Sequence, residues 1–154
     1  MARPQPGDPA PDFSALATDG SRLSLRDFRG KKLVLYFYPM DDTPGCTAQA
    51  CSLRDHNGEI TATGAAILGV SAQDVTSHKK FTAKYNLNFP LLADADRSVA
   101  RAYGAIGGGI GGALRGMLGL AERVTFIIDE QGRIAHVIDS PDTANHAAQV
   151  LQLL

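Results

Sequence analysis

Cys46 and Cys51 are the only cysteines among 154 residues, and they stand five positions apart behind the run Tyr36-Phe37-Tyr38-Pro39-Met40-Asp41-Asp42-Thr43-Pro44-Gly45. Sulfur attacks an electrophile as the thiolate. A free thiol with a pKa near 8.5 is only about 3% ionised at pH 7, so a reactive cysteine needs help from its surroundings. The residues around Cys46 are of the kind that give it. Lys32 to Tyr38 is apolar, aromatic and β-branched enough to predict a buried strand, which Pro39 ends because proline cannot continue a central ladder. Thr43 as N-cap and Pro44 at the first helical position then predict a helix beginning near Cys46. The open N–H groups and partial positive charge of a helix start favour negative charge on that sulfur.

The second cysteine makes a geometric point. Five residues of regular helix rise about 7.5 Å and turn roughly 140° beyond a full circle, which separates the two Cα atoms by about 8.6 Å. A disulfide tolerates at most about 7 Å. If both cysteines lie in one intact helix, they cannot be bridged until it partly unwinds, so the pair reads as a switch rather than a staple. Cys46, Cys51 and His56 recur at five-residue intervals, but steps of about 100° per residue spread them around a helix, and with no paired C-x-x-C a zinc site is not expected. Taken singly, each residue has a duller reading. Thr43 alone would be a helix cap, Arg123 a surface strand residue, and Cys46 or Cys51 a small buried hydrophobe.

Joint spacing reverses those readings. The string P-M-D-D-T-P-G-C-T-A-Q-A-C matches the peroxiredoxin pattern P-x-x-x-T-x-x-C, and its T-P-G-C-T-x-x-x-C extension resembles the bacterioferritin comigratory protein (PrxQ) subfamily. The likeness covers nearly the whole chain. Pro9-Ala10-Pro11-Asp12-Phe13, Gly69-Val70-Ser71 with Asp74, His78 and Phe81, Leu87 to Asp94, Tyr103-Gly104 and Arg123 to Asp129 all fall in family order. The resemblance implies an α/β, thioredoxin-like fold: a central mixed sheet flanked by helices, with an N-terminal β-hairpin. It implies reduction of hydrogen peroxide and organic hydroperoxides, with Cys46 as peroxidatic thiol, Cys51 as resolving thiol and a Cys46–Cys51 redox disulfide recycled by thioredoxin or a similar dithiol.

The same resemblance assigns peroxide activation to Thr43, Cys46 and Arg123 and a shielding role to Pro39. Ionising the thiol gains thirtyfold at most, so further rate must come from fixed donors at the oxygen that takes up charge. Arg123 can meet both thiolate and peroxide, Thr43 supplies a hydroxyl three residues before Cys46, and the Gly45 and Cys46 amides add donors at the helix start. No cofactor or metal is expected, because sulfur itself changes oxidation state. Gln49 departs from the subfamily, where glutamate is common, and removes a negative charge from the first helical turn.

The rest of the chain must position these groups. A single domain, 1–154, is expected from the length. The formal net charge of −1 offers no basic footprint for nucleic acid or membrane, and a monomer acting on small molecules is expected. Met1 to Pro11 lacks the apolar core of a signal peptide and no run approaches a membrane span, so the expected location is the cytoplasm. Asp19-Gly20 predicts a hairpin within Phe13 to Leu25. Ala65 to Ser71 predicts a second buried strand, Val75 to Tyr85 a helix, Phe89 to Leu92 a short strand and Ser98 to Tyr103 a short helix behind Asp94 and Asp96. Val124 to Asp129 and Ile134 to Ile138 predict an antiparallel hairpin, and Asp142 to Leu154 a closing helix. The cysteine helix is expected to run toward Gly58 or Gly64, with Gly58 as its breaker. His78, His136 and His146 read as surface or capping residues.

Gly107 to Gly112 formally satisfies G-x-G-x-x-G, but no buried strand precedes it, so a mobile loop within Gly104 to Leu120 is expected instead of a dinucleotide site, with Leu114, Met117, Leu118 and Leu120 as a possible flap. No G-x-S-x-G elbow or phosphate-binding G-x-x-x-x-G-K is present. Two alternatives from other classes are a redox sensor or holdase oxidised without rapid turnover, and a dithiol oxidoreductase, for which C-x-x-C would be expected.

Overall fold

The computed structural model describes residues 3–106 and 120–154. The glycine run Gly107 to Gly112 and the flap residues Leu114, Met117 and Leu118, with the expectations that fell on them, lie outside the described residues. Strand β3 (Lys32–Phe37) is the organising element. Its Leu33, Leu35 and Phe37 enter one core, with Leu68, Val70, Val124 and Phe126, while Val34 and Tyr36, followed by Tyr38, enter a second on the opposite face. Both faces are covered, which is why the segment reads as an unbroken apolar run rather than an alternating one.

Around it, among the described residues, stands a mixed sheet of seven strands in the order β2-β1-β5-β4-β3-β6-β7. The additional strands are β1 (Ser14–Ala17), β2 (Arg22–Ser24), β4 (Ala65–Ser71), β5 (Leu91–Ala93), β6 (Val124–Ile128) and β7 (Ile134–Ile138). Pairing is parallel for β3 with β4 and for β4 with β5, and antiparallel for β3 with β6. The expected N-terminal hairpin is β1–β2 and the expected C-terminal one is β6–β7. Helices α1 (Pro44–Asp55), α2 (Asn57–Ala62), α3 (Val75–Tyr85) and α5 (His146–Leu151) pack residues into the Tyr36 face, and α4 (Ser98–Ala102) covers the other.

Some expected boundaries shift for local reasons. The cysteine helix breaks at His56, not Gly58, which lies inside α2. His56 has φ −113° and ψ 11°, its ring meets the Ser52 carbonyl, and the Asn57 amide donates to Asn88, so a side-chain tie to the loop before β5 turns the chain there. Strand β5 begins at Leu91 because Pro90 has no N–H to give the ladder. The Asp94 carboxylate accepts from the Val99 and Ala100 amides at 3.0 and 2.9 Å, which starts α4 as the acidic residues suggested. The tail helix is shorter than expected, with a 3₁₀ turn at Thr143–Asn145 before α5. Among the described residues, no helix is long and apolar enough to cross a membrane.

Candidate active site

Three elements converge on Cys46. Parallel β3 delivers the chain to Pro39, a tight turn over Met40 to Thr43 reverses it, and α1 starts at Pro44 with Cys46 in its first turn. The antiparallel register sets Val124 opposite Phe37, so Arg123, just before β6, is carried to the exit of β3 beside that helix start. Its guanidinium spans two acceptors. Nη2 lies 3.3 Å from Cys46 Sγ and Nη1 donates to Gln49 Oε1 at 2.7 Å. Gly45 makes room for this: a Cβ there would sit 3.1 Å from Arg123 Nη2.

Cys46 is 1% exposed and Cys51 half-buried, both as free thiols in the one intact helix Pro44–Asp55. The condition set by the five-residue spacing is therefore met: a bridge requires α1 to unwind. Thr43 stands at the N-cap with extended backbone, but its side chain makes no cap hydrogen bond. Its hydroxyl donates to the Met40 carbonyl at 2.9 Å. The capping role is thus corrected to a turn-closing one, and with the hydroxyl's proton so used, its oxygen keeps lone pairs to accept from a ligand. The first helical bond runs from the Thr47 amide to the Thr43 carbonyl, so the Gly45 and Cys46 amides precede the ladder, as donors at a helix start do. Pro39 is half-buried at the strand exit, its carbonyl accepting from Gln73 Nε2 at 3.3 Å.

Gln49 acquires a physical reading here. It is fully buried and gives Arg123 a neutral acceptor. A glutamate would set a negative charge on the same guanidinium that faces Cys46; the amide orients Arg123 without competing for its charge.

The histidine expectations need correction. His78 and His146 are fully buried rather than superficial. His146 bridges the Thr125 hydroxyl (2.8 Å) and Gln149 Oε1 (2.9 Å), tying α5 to β6 directly behind Arg123. Burial holds its imidazole below the usual range, with Arg123's charge acting in the same direction. His78 reaches Asp41, in the turn that carries Thr43. Asp41 also accepts from the Tyr38 and Ser77 hydroxyls, at 2.6 and 2.7 Å. Burial pushes the Asp41 carboxyl up, but the His78, Tyr38 and Ser77 contacts outweigh it and hold it below the ordinary carboxylate range. The next residue, Asp42, has φ 59° and accepts from Lys84 Nζ and the Tyr85 hydroxyl, both at 2.8 Å. Sequence reasoning missed this network. The available signal was His78, Phe81 and Tyr85 at helical spacing on the buried side of α3. No cluster of three or more potential metal ligands occurs among the described residues, Cys46, Cys51 and His56 included.

Comparison with known proteins agrees with this geometry. The AhpC/TSA family model matches residues 6–137. A putative peroxiredoxin bcp of Coxiella burnetii is 42% identical over 147 residues, 94% of this chain and 95% of that one. Among solved structures, PrxQ of Xylella fastidiosa superposes with a TM-score of 0.89 at 28% identity, covering 99% of this chain and 96% of the other. The bacterioferritin comigratory protein of Xanthomonas campestris, studied for its alkyl peroxide reduction activity through trapped intermediate and ligand complexes, gives 0.82 at 34% identity, covering 91% and 88%. With that agreement across the whole fold and a thiol set beside an arginine at a helix start, the chain belongs to the AhpC/TSA family, as a thioredoxin-like peroxiredoxin of the bacterioferritin comigratory protein (PrxQ) group and hence a thiol peroxidase.

Proposed function

We propose that Cys46 is the peroxidatic thiol and Cys51 the resolving thiol, in one domain, acting on hydrogen peroxide and organic hydroperoxides, alkyl hydroperoxides among them. The Cys46 thiolate attacks the terminal peroxide oxygen, the O–O bond breaks, and the departing oxygen leaves as water or alcohol after taking a proton. Arg123 stabilises the charge that moves from sulfur to that oxygen, Thr43 Oγ1 accepts from the peroxide hydroxyl, and the Gly45 and Cys46 amides add donors. Pro39 limits access of water to the sulfur. Cys51 then attacks the Cys46 sulfenic sulfur and displaces water, leaving a disulfide in an unwound α1. Thioredoxin or a similar dithiol reopens it by exchange. A cytoplasmic monomer suits such a cycle, since both thiols come from one chain.

The observation that carries this reading is the 3.3 Å approach of Arg123 Nη2 to a buried cysteine at the start of α1. The test is peroxide consumption with a thioredoxin-based reducing system, native protein against Cys46→Ser. Repeated turnover that vanishes in the variant is expected. Equal consumption by both would remove Cys46 from the role.

A further inference from the structure

The buried pair Asp41–His78 takes no part in the chemistry above, yet it holds the turn from which that chemistry is presented. His78 is 0% exposed and the Asp41 side chain 5%. The imidazole is fixed at both ends. Nε2 faces the Leu92 carbonyl at 2.8 Å and Nδ1 faces Asp41 Oδ2 at 2.6 Å. A carbonyl can only accept, so Nε2 carries a proton. A neutral ring would then point its Nδ1 lone pair at a carboxylate that already accepts from Tyr38 and Ser77. The 2.6 Å contact is attractive only with a proton between Nδ1 and Oδ2, which makes it a charge-assisted bond. The anchor runs from the sheet itself, through the Leu92 carbonyl on β5 and His78 on α3, into the turn.

The turn needs such an anchor. The Tyr38 and Ser77 hydroxyls also donate to Asp41, but as neutral donors; beyond them the Asp41 amide and the Pro39 carbonyl bond to the single Gln73 side chain, and the Asp42–Lys84 pair lies at the surface. Thr43, two residues beyond Asp41, owes its hydroxyl direction to the Met40 carbonyl inside the same turn. A shift of Asp41 therefore moves the Thr43 oxygen and the start of α1 together, relative to Arg123, which is held separately by β6.

We propose that His78 is a positioning residue for peroxide reduction, acting through the proton it shares with Asp41 to fix the Met40 to Thr43 turn against α3 and so set Thr43 and the α1 N-terminus in register with Arg123. The inference rests on Cys46 as the reacting thiol. It differs from a purely structural role in one respect. The displacement reaches a peroxide through Thr43, Arg123 and the helix amides together but the thiol only through its contact with Arg123, so loss of the turn slows oxidation of Cys46 by peroxide far more than a reaction that needs only the thiol.

The experiment measures two rates at Cys46 by quench and mass spectrometry: oxidation by hydrogen peroxide in a single turnover, and alkylation by iodoacetamide. Native protein is compared with His78→Leu, Asp41→Asn and the double variant. Each single variant is expected to oxidise about 10- to 100-fold more slowly, the size of effect a misplacement of about 1 Å produces, while alkylation stays within about threefold. The double variant is expected to be no worse than the poorer single one, since the two side chains act as a unit. Native oxidation rates in both single variants would overturn the proposal, as would equal losses in oxidation and alkylation. If His78→Leu fails to fold, Asp41→Asn, which keeps the side chain's shape and its acceptor oxygen, decides the matter alone. Failure of the underlying reading has a different signature, undiminished peroxide consumption in Cys46→Ser, which involves neither residue.

Discussion

Replacing Arg123 with methionine removes the guanidinium that touches both Cys46 and Gln49, and the structure bounds what that should cost. At the observed 3.3 Å, with an effective dielectric of about 20, a unit positive charge and a thiolate attract by about 5 kcal/mol before desolvation is counted. Losing a single donor aimed at developing charge costs about 2.7–4 kcal/mol where it has been measured, so a fall of about 10²- to 10³-fold in the second-order rate of Cys46 oxidation is expected. A separate cost falls on stability. Gln49 Oε1, fully buried, would lose its Arg123 donor, at about 1–3 kcal/mol by urea unfolding. Arg123→Lys separates charge from geometry. A single ammonium keeps the charge but cannot serve Sγ and Oε1 as two fork nitrogens do, so an intermediate rate is expected. The chain has no tryptophan, so the assay is stopped-flow mixing with peroxide, acid quench and mass spectrometry of the thiol state. Oxidation of Arg123→Met within about threefold of the native rate, under ~0.7 kcal/mol of barrier, would refute the assignment of charge stabilisation to Arg123.

Cys51→Ser should still be oxidised by the first equivalent of peroxide but stop at the sulfenic acid and pass to sulfinic acid with excess, whereas native protein should lose two hydrogens as the disulfide forms; a gain of one oxygen by both proteins, each measured against its own reduced mass, after one equivalent would contradict the resolving role. Gly69→Ala places a Cβ 2.7 Å from Leu91 Cδ2 and 2.9 Å from the Tyr36 ring. It should destabilise the fold by about 1–3 kcal/mol in urea, as overpacking does, and an unchanged midpoint would mean the core yields more easily than its packing indicates. His146 supplies a pH test. Its folded-state pKa is depressed, so the unfolded chain binds more protons once pH falls below about 6.5, and the contribution present above that value is lost as pH falls further toward the folded-state pKa. Unfolding free energies at about pH 7.5 and about pH 5.5 should therefore differ by less in His146→Gln than in native protein, and an equal difference would assign the acid limb elsewhere.

Much of the site could be read from the chain alone, because its determinants are local. Pro39 must end a central strand, Pro44 favours a helix start, and the five-residue interval between Cys46 and Cys51 forbids a bridge in an intact helix; these follow from backbone geometry that no tertiary contact can alter. The strands Lys32–Phe37 and Ala65–Ser71 and the helix Val75–Tyr85 were equally legible, since continuous apolar runs and a helical apolar stripe are properties of short windows. Tertiary structure decided what depends on distant segments meeting. A threonine at an N-cap can bond forward into its helix or back to its own turn, and Thr43 bonds back because Asp41 and Asp42 are pinned to α3. A histidine is buried or exposed according to whether partners exist for both ring nitrogens, and only folding brings Asp41 and the Leu92 carbonyl to His78, or Thr125 and Gln149 to His146. The helix break at His56 likewise depends on Asn88, 31 residues beyond the Asn57 amide that binds it. Local sequence thus determined which thiol stands at a helix start. The strand register between β3 and β6, set by packing on both faces of the sheet, decided that an arginine 77 residues away would stand beside it.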